Sequence, residues 1–233
     1  MEELRKFVEE CKKKLDELFP QATTNEQLRS TDYGVKLTVE KDNLIFGIFA
    51  GKQPDIPTIG YGSLCSGDTT RFEHVIFLDY DWINEWMVRE ELAYLVDKYK
   101  LSNFYLFYTR RFEYPQGGPF DRWYGNYQAV CCTKLPFKEV LKIIEETHCD
   151  WNYKTMPHYS RYKFWFLRFI DKGEVEPPKF LELIPDKPVN MDRRVSQAHV
   201  RFLETWYNVP KLPYQNLDGS KEILMSRYMT AKR

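Results

Sequence analysis

The stretch HVIFLDYDWINEW, residues 74–86, delivers two carboxylates, Asp79 and Asp81, directly after an apolar run. Val75, Ile76, Phe77 and Leu78 show no polar alternation, the pattern of a strand covered on both faces. Residues i and i+2 of a strand point to one side, so Asp79 and Asp81 share a face. Two like charges at that spacing raise each other's pKa unless a positive charge offsets them. A hard divalent cation, Mg2+ or Mn2+, prefers such oxygen donors. A plainer role is open as well: a solvated pair at a strand end, with Asp81 as the N-cap of the next helix.

The elements that must position this pair can be read around it. Residues 82–99 have helical spacing, with Val88, Leu92, Leu95, Val96 and Tyr99 on one stripe. NFYLFYTR, 103–110, reads as a second strand and YGNYQAVCC, 124–132, as a third. Pro136 opens a helix whose Phe137, Val140, Leu141 and Ile144 fall at i, i+3, i+4 and i+7. KFWFLRFI, 163–170, reads as a fourth strand. The order is β-α-β-β-α-β, an α+β arrangement of the ferredoxin-like or RNA-recognition-like type. In that topology the first and third strands are neighbours, and the fourth flanks the first. Asn126 and Gln128 then lie beside the aspartates. The segment entering the fourth strand brings Asp150 toward them, either as a third carboxylate of a two-metal site or as an ordinary loop residue.

The flanks are simpler. An N-terminal helix, 3–19, carries Leu4, Phe7, Val8, Cys11, Leu15 and Leu18 at helical spacing, and a hairpin follows over 35–50. A loop rich in Pro, Gly and Ser spans 51–71. After a Pro-rich connector, 174–190, a C-terminal helix runs over about 193–207, with His199 on its apolar stripe as a packed histidine. The expected division is a core over 1–172 and a C-terminal extension over 173–233.

Formal net charge is zero, so nucleic-acid binding would need a local basic patch. The loop 110–124 supplies one candidate: Arg110, Arg111 and Arg122 alternate with Phe112, Tyr114, Phe120, Trp123 and Tyr124. That is the composition of a single-strand platform, or of a packed aromatic hairpin. Arg161, Lys163, Arg168 and Lys172 place positive charge around the last strand, where phosphates could use it. The five cysteines have neither C-x-x-C spacing nor the pattern of a disulfide framework. No signal peptide or membrane-length apolar run is visible, so the expected location is intracellular, in the cytoplasm.

Together these residues resemble the catalytic core of the archaeo-eukaryotic primase superfamily, in particular the compact primase-polymerases of archaeal plasmids and viruses. VIFLDYD resembles the first motif, an apolar strand ending in Asp-x-Asp. GNYQAV corresponds to the second, where the family has a small residue, any residue, then His. Asp150 in HCDWNYK corresponds to the third, an acidic residue. The resemblance covers roughly residues 74–172. It implies that Asp79, Asp81 and Asp150 bind Mg2+ or Mn2+. It also implies that position 128 contacts nucleotide phosphates. By position and charge rather than by the resemblance, Asn126, Arg161, Lys163, Arg168 and Lys172 are the further candidate nucleotide contacts, and Arg110, Arg111, Arg122, Trp123 and Tyr124 the candidate template contacts. Position 128 departs from the motif: Gln can donate a hydrogen bond but carries no charge.

The expected activity is metal-dependent nucleotidyl transfer on a single-stranded DNA or RNA template, using nucleoside triphosphates, in plasmid or virus replication with a replicative helicase as partner. Two alternatives stand beside it. One is a non-catalytic nucleic-acid-binding replication protein on the same fold. The other is a haloacid-dehalogenase-like phosphatase, whose strand also ends in Asp-x-Asp but whose sheet is parallel.

Overall fold

The computed structural model describes residues 2–31, 34–51, 58–65, 73–114, 122–159, 165–171, 175–189 and 194–212. Within them the chain is a mixed α+β protein with five helices and two antiparallel sheets.

The first sheet begins with the N-terminal helix α1 (Glu2–Leu18) packed against it, burying Val8 and Leu15. Strands β1 (Thr23–Thr31), β2 (Gly34–Lys41), β3 (Leu44–Gly51), β4 (Thr58–Gly62) and β8 (Phe166–Arg168) lie in the order β1-β2-β3-β4-β8. The expected hairpin is β2 and β3. Alternation along β2 buries Val35, Leu37 and Val39 and leaves Lys36, Thr38 and Glu40 on the opposite face. Two strands depart from expectation. TTNEQLRST forms β1 although it has no apolar alternation, because an edge strand needs only ladder hydrogen bonds and its charges protect it from further pairing. TIGYG forms β4 inside the stretch expected to be loop.

The second sheet is built from β5 (Glu73–Asn84), β6 (Phe104–Glu113), β7 (Trp123–Pro136) and β9 (Lys179–Ile184), in the order β5-β7-β6-β9. The first and third strands of the expected unit are therefore neighbours, and the second lies beyond the third. The fourth does not complete the sheet. Its described part, β8, pairs with β4 of the first sheet instead. The far edge belongs to β9, drawn from the Pro-rich connector. Helices α2 (Glu85–Tyr99) and α3 (Phe137–Glu145) cover one face of this sheet with Val88, Leu92, Leu95, Val96, Val140, Ile143 and Ile144. Helix α4 (Trp151–Tyr159) forms within the segment that leads toward the expected fourth strand.

The two sheets meet at the outer edge of β5. Val75 N–H donates to Ser63 O (2.8 Å), Cys65 N–H to Glu73 O (2.9 Å) and Ser63 N–H to Trp165 O (2.9 Å). Helix α5 (Gln197–Tyr207), from the expected C-terminal extension, locks the junction. Its Phe202 and Trp206 pack with Phe19, Phe46 and Phe169 near the first sheet, and its Tyr207 lies 4.5 Å from Phe107 of β6. All five cysteines are free thiols. No helix of the described residues is long and apolar enough to cross a membrane.

Two buried histidines tie the junction together. His199 Nε2 lies 2.9 Å from Gly62 O, an atom that can only accept, so Nε2 carries the proton. Its Nδ1 then accepts from Ser196 Oγ (2.7 Å). His74 Nδ1 meets Ser63 Oγ at 3.2 Å, and Ser63 Oγ also accepts from Trp165 N–H (3.1 Å). Burial holds both imidazoles neutral, pushing each from 6.5 down to about 4. A depressed folded pKa means that the unfolded chain takes up protons first. Stability is complete above about pH 6.5 and falls as pH drops toward 4, by up to about 3 kcal/mol for a fully buried histidine. We expect His199→Gln, which keeps a donor for Gly62 O, to lose less stability than wild type on going from pH 6.5 to 4. Thermal melts across that range check it; parallel curves would remove His199 from the acid response.

Candidate active site

One face of β5 changes character along its length. Phe77 packs against Tyr61 (4.9 Å) and His199 (5.8 Å) in the core. Two residues on, Asp79 follows on the same side, and Asp81 after it. Tyr80 points the other way, under α2, where its hydroxyl donates to Glu91 (2.7 Å). Where the apolar residues stop, the sheets diverge into a cleft of about 590 Å³. Asp79 and Asp81 line it with Asn126 and Gln128 of β7 and Arg110 of β6. The facing wall comes from the first sheet: Lys36, Gly47, Gly60, Phe166 and Arg168. Tyr153 of α4 closes the inner end.

The aspartates are where the period-2 reading put them. Gln128 is the direct cross-strand partner of Asp79, and its side chain hydrogen-bonds that carboxylate. The strand does not end at Asp81, however. It continues through a bulge to Asn84, and Asn84 caps α2 by accepting from Trp86 N–H (2.8 Å). Asp81 is therefore no N-cap and stays exposed at the cleft mouth.

Asp150 is close but differently engaged. Its N–H donates to Asp79 O (2.8 Å), which occupies the edge of β5 where the fourth strand was expected. Its carboxylate accepts from Tyr153 N–H (3.0 Å), capping α4. No group of three or more His, Cys, Asp or Glu side chains converges on a metal-sized site among the described residues. The expected three-aspartate cluster is thus not assembled; Asp79 and Asp81 form the pair, with Asp150 beside them.

Electrostatics follow from this crowding. Burial first, and then the Asp81 charge, push Asp79 from 3.8 to about 7, against the opposing hydrogen bond from Gln128. Partial burial and the Asp150 charge raise Asp81 as well. Across the cleft, burial followed by the Arg29 charge lowers Lys36, whose ammonium lies 4.5 Å from the Phe166 ring centroid. Gly47 and Gly60, cross-strand partners, make room for this wall: a Cβ at Gly47 would sit 2.7 Å from the Phe166 ring, and one at Gly60 would sit 2.8 Å from Leu167 O.

Other expected site residues are divided. Asn126 lines the cleft but also accepts from Trp82 N–H (3.1 Å), fixing the bulge after Asp81. Arg168 lines the opposite wall, in the first sheet, and one of its guanidinium nitrogens is held by the carbonyls of Ile170, Val175 and Glu176. Arg111, expected to face a template, is engaged within the fold. It makes a two-pronged pair with buried Glu85 (2.6 and 2.8 Å) and stacks 3.9 Å from the Trp123 ring centroid. Arg122 pairs with Glu113 (2.6 Å) and lies near the same ring, so Trp123 is flanked by two engaged cations. Arg110 and Tyr124 remain exposed. Arg161, Lys163 and Lys172 lie outside the described residues.

The sequence reading missed Lys36, Phe166 as a cleft wall, and Tyr153. Alternation along β2 puts Lys36 on the polar face with Thr38 and Glu40, and no pattern in the sequence singles it out. Tyr153 is buried, and its hydroxyl has no hydrogen-bond partner among the described residues. Comparison with known proteins returned no matching family, curated protein or solved structure.

Asp79 gives a sign-definite test. A carboxyl whose folded pKa is raised contributes stability below its unfolded pKa, near 3.8, and loses it as pH rises through about 7. Asp79→Asn cannot ionise. Its stability advantage over wild type is expected to grow between pH 5 and pH 8 by on the order of 1 to 2 kcal/mol, allowing for water in the cleft. Denaturant melts at the two pH values measure it. An advantage independent of pH would mean that Asp79 titrates normally.

Proposed function

We propose that this protein is a metal-dependent nucleotidyltransferase of the primase-polymerase type, adding nucleotides along a nucleic-acid strand. The observation that carries the reading is the cleft itself. A repelling carboxylate pair stands on one wall and the cations Lys36 and Arg168 on the other, across a space of nucleotide size.

The donor set fits a hard divalent cation. Asp79 and Asp81 supply carboxylate oxygens whose mutual repulsion a cation would relieve. Mg2+ commonly uses one or two carboxylates and completes its shell with water and substrate phosphates, so a protein cage of three carboxylates is not required. When bound, such an ion supplies a lowered pKa for an attacking hydroxyl and charge compensation for a pyrophosphate leaving group.

The chain's own residues would do the rest. Lys36 offers an ammonium to the triphosphate, and its position over Phe166 holds it at the wall. Gln128 orients Asp79 through its amide and favours the ionised carboxylate. In this reading it tunes the acid pair rather than clasping phosphate, the task given to the family's histidine. Tyr153 of α4 lines the cleft, with its hydroxyl buried and without a hydrogen-bond partner among the described residues. The phosphatase alternative loses its basis, since it requires a parallel sheet and both sheets here are antiparallel.

The test is incorporation of labelled nucleotide on primed and unprimed single strands with Mg2+ or Mn2+. Wild type is expected to incorporate, and Asp79→Asn and Asp81→Asn each to abolish incorporation while folding normally. Lys36→Ala should raise KM for the triphosphate about ten-fold or more, the loss of one hydrogen bond to a charged group. Gln128→Ala should shift the activity profile to higher pH, because Asp79 loses the bond that favours its ionised form. Wild type inactive with both metals, or activity retained in both aspartate variants, would contradict the reading. The first result would leave strand binding without catalysis.

A further inference from the structure

We infer that Trp82, Phe112 and Tyr124 form a shelf on which unpaired bases of a single-stranded nucleic acid stack as the strand enters the cleft. The inference rests on the proposal that the cleft accepts nucleic acid, and it adds where and how the strand is held.

The cleft floor runs directly into the shelf. Gln128 and Asn126 of β7 line the cleft, and alternation puts Tyr124 next on the same face. Arg110 of β6 lines the cleft, and Phe112 follows it on that face, directly opposite Tyr124. Trp82 joins them from the β5 bulge, one residue past Asp81. Its φ of +52° turns the chain so that consecutive residues serve both features, and Asn126 secures its N–H. The Trp82 and Phe112 rings are parallel to within 5° at 5.7 Å between centroids, and Tyr124 lies 6.3 Å from Trp82.

These rings do not fill a core. Trp82 is 54% exposed, Phe112 47% and Tyr124 39%. The chemistry beside them selects the occupant. Arg111 and Arg122 are consumed by Glu85 and Glu113, but Arg110, exposed between shelf and carboxylates, makes no ion pair among the described residues. Flat ring faces next to a free guanidinium match a strand that alternates bases with phosphates. Every base has a π-face, so the shelf tolerates any sequence. A duplex hides its base faces and gains nothing from it.

The experiment is fluorescence anisotropy of a labelled oligothymidylate with the full chain, over a series of salt concentrations. Trp82→Ala and Phe112→Ala are each expected to weaken binding about ten-fold or more, by a similar factor at every salt concentration, since stacking releases no counterion. Trp82→Phe should retain most of the affinity. Arg110→Ala should reduce the salt slope by roughly the contribution of one phosphate. A duplex of equal length should bind more weakly than the single strand. Circular dichroism confirms folding, and Trp82→Phe with Phe112→Ala carries the test should Trp82→Ala fail to fold. Unchanged affinity in Phe112→Ala and Trp82→Ala, or a wild type that ignores single strands, would overturn the shelf. Ring-dependent binding by a chain that incorporates no nucleotide would keep the shelf and overturn nucleotidyl transfer.

Discussion

The cleft exists because β5 is held at both edges by different parts of the chain. On one side it pairs along its length with β7. On the other, Ser63 and Cys65 bond its beginning, and the N–H of Asp150 bonds its carbonyl at Asp79. The first contact anchors the first sheet to the second; the other anchors α4 at the inner end of the cleft. A regular fourth strand along that edge would use the same backbone groups and leave no space for the first sheet's junction. Helix α5 then spans both sheets, with His199 on Gly62 O and Tyr207 on Phe107. The angle between the sheets, and so the distance between acidic and basic walls, follows from these few bonds.

Within that frame the aspartate pair is locally unfavourable. A carboxyl raised to about 7 is one that the fold partly forbids from ionising. Gln128 offsets some of the cost but cannot cancel a charge. Sites that keep such a conflict are commonly functional, because a ligand that resolves it binds with the energy otherwise lost to repulsion. Under the proposed function, a cation between the carboxylates would relieve this repulsion, and Lys36 stands on the facing wall. Two absent side chains are the backbone counterpart of this arrangement: Gly47 leaves room for the Phe166 ring beside Lys36, and Gly60 for the Leu167 carbonyl of the adjoining strand.

What the sequence made legible was local. A period of two places Asp79 with Asp81, and Gln128 with Asn126, and the strand order 1-3-2 puts Gln128 against Asp79. What escaped was set by distant partners or by backbone geometry. The described fourth strand is three residues long, and its apolar neighbours Trp165 and Phe169 would suit either sheet; pairing with β4 decided it. β1 and β9 hold their places through ladder bonds, which composition does not reveal. Arg111 reads as a free cation until Glu85, 26 residues away in sequence, is brought to it. Asp150 looks like a ligand by position, yet the nearest unsatisfied donors are the N–H groups of α4, and it caps them. The bulge at Trp82 depends on a left-handed backbone conformation that aromatic residues rarely adopt, so nothing in the sequence pattern announces it.

The central claim is that Asp79 and Asp81 together form a cation site poised near neutrality. The most direct measurement is calorimetric titration of the protein with Mn2+ at pH 7 in the absence of nucleotide, which would itself bind the metal, repeated in buffers of different ionisation enthalpy. Because Asp79 is partly protonated there, cation binding must displace a fraction of a proton. Saturable binding with proton release is expected in wild type, and loss of both in Asp79→Asn. Saturable binding by Asp79→Asn equal to that of wild type, or no binding by wild type at all, would contradict it.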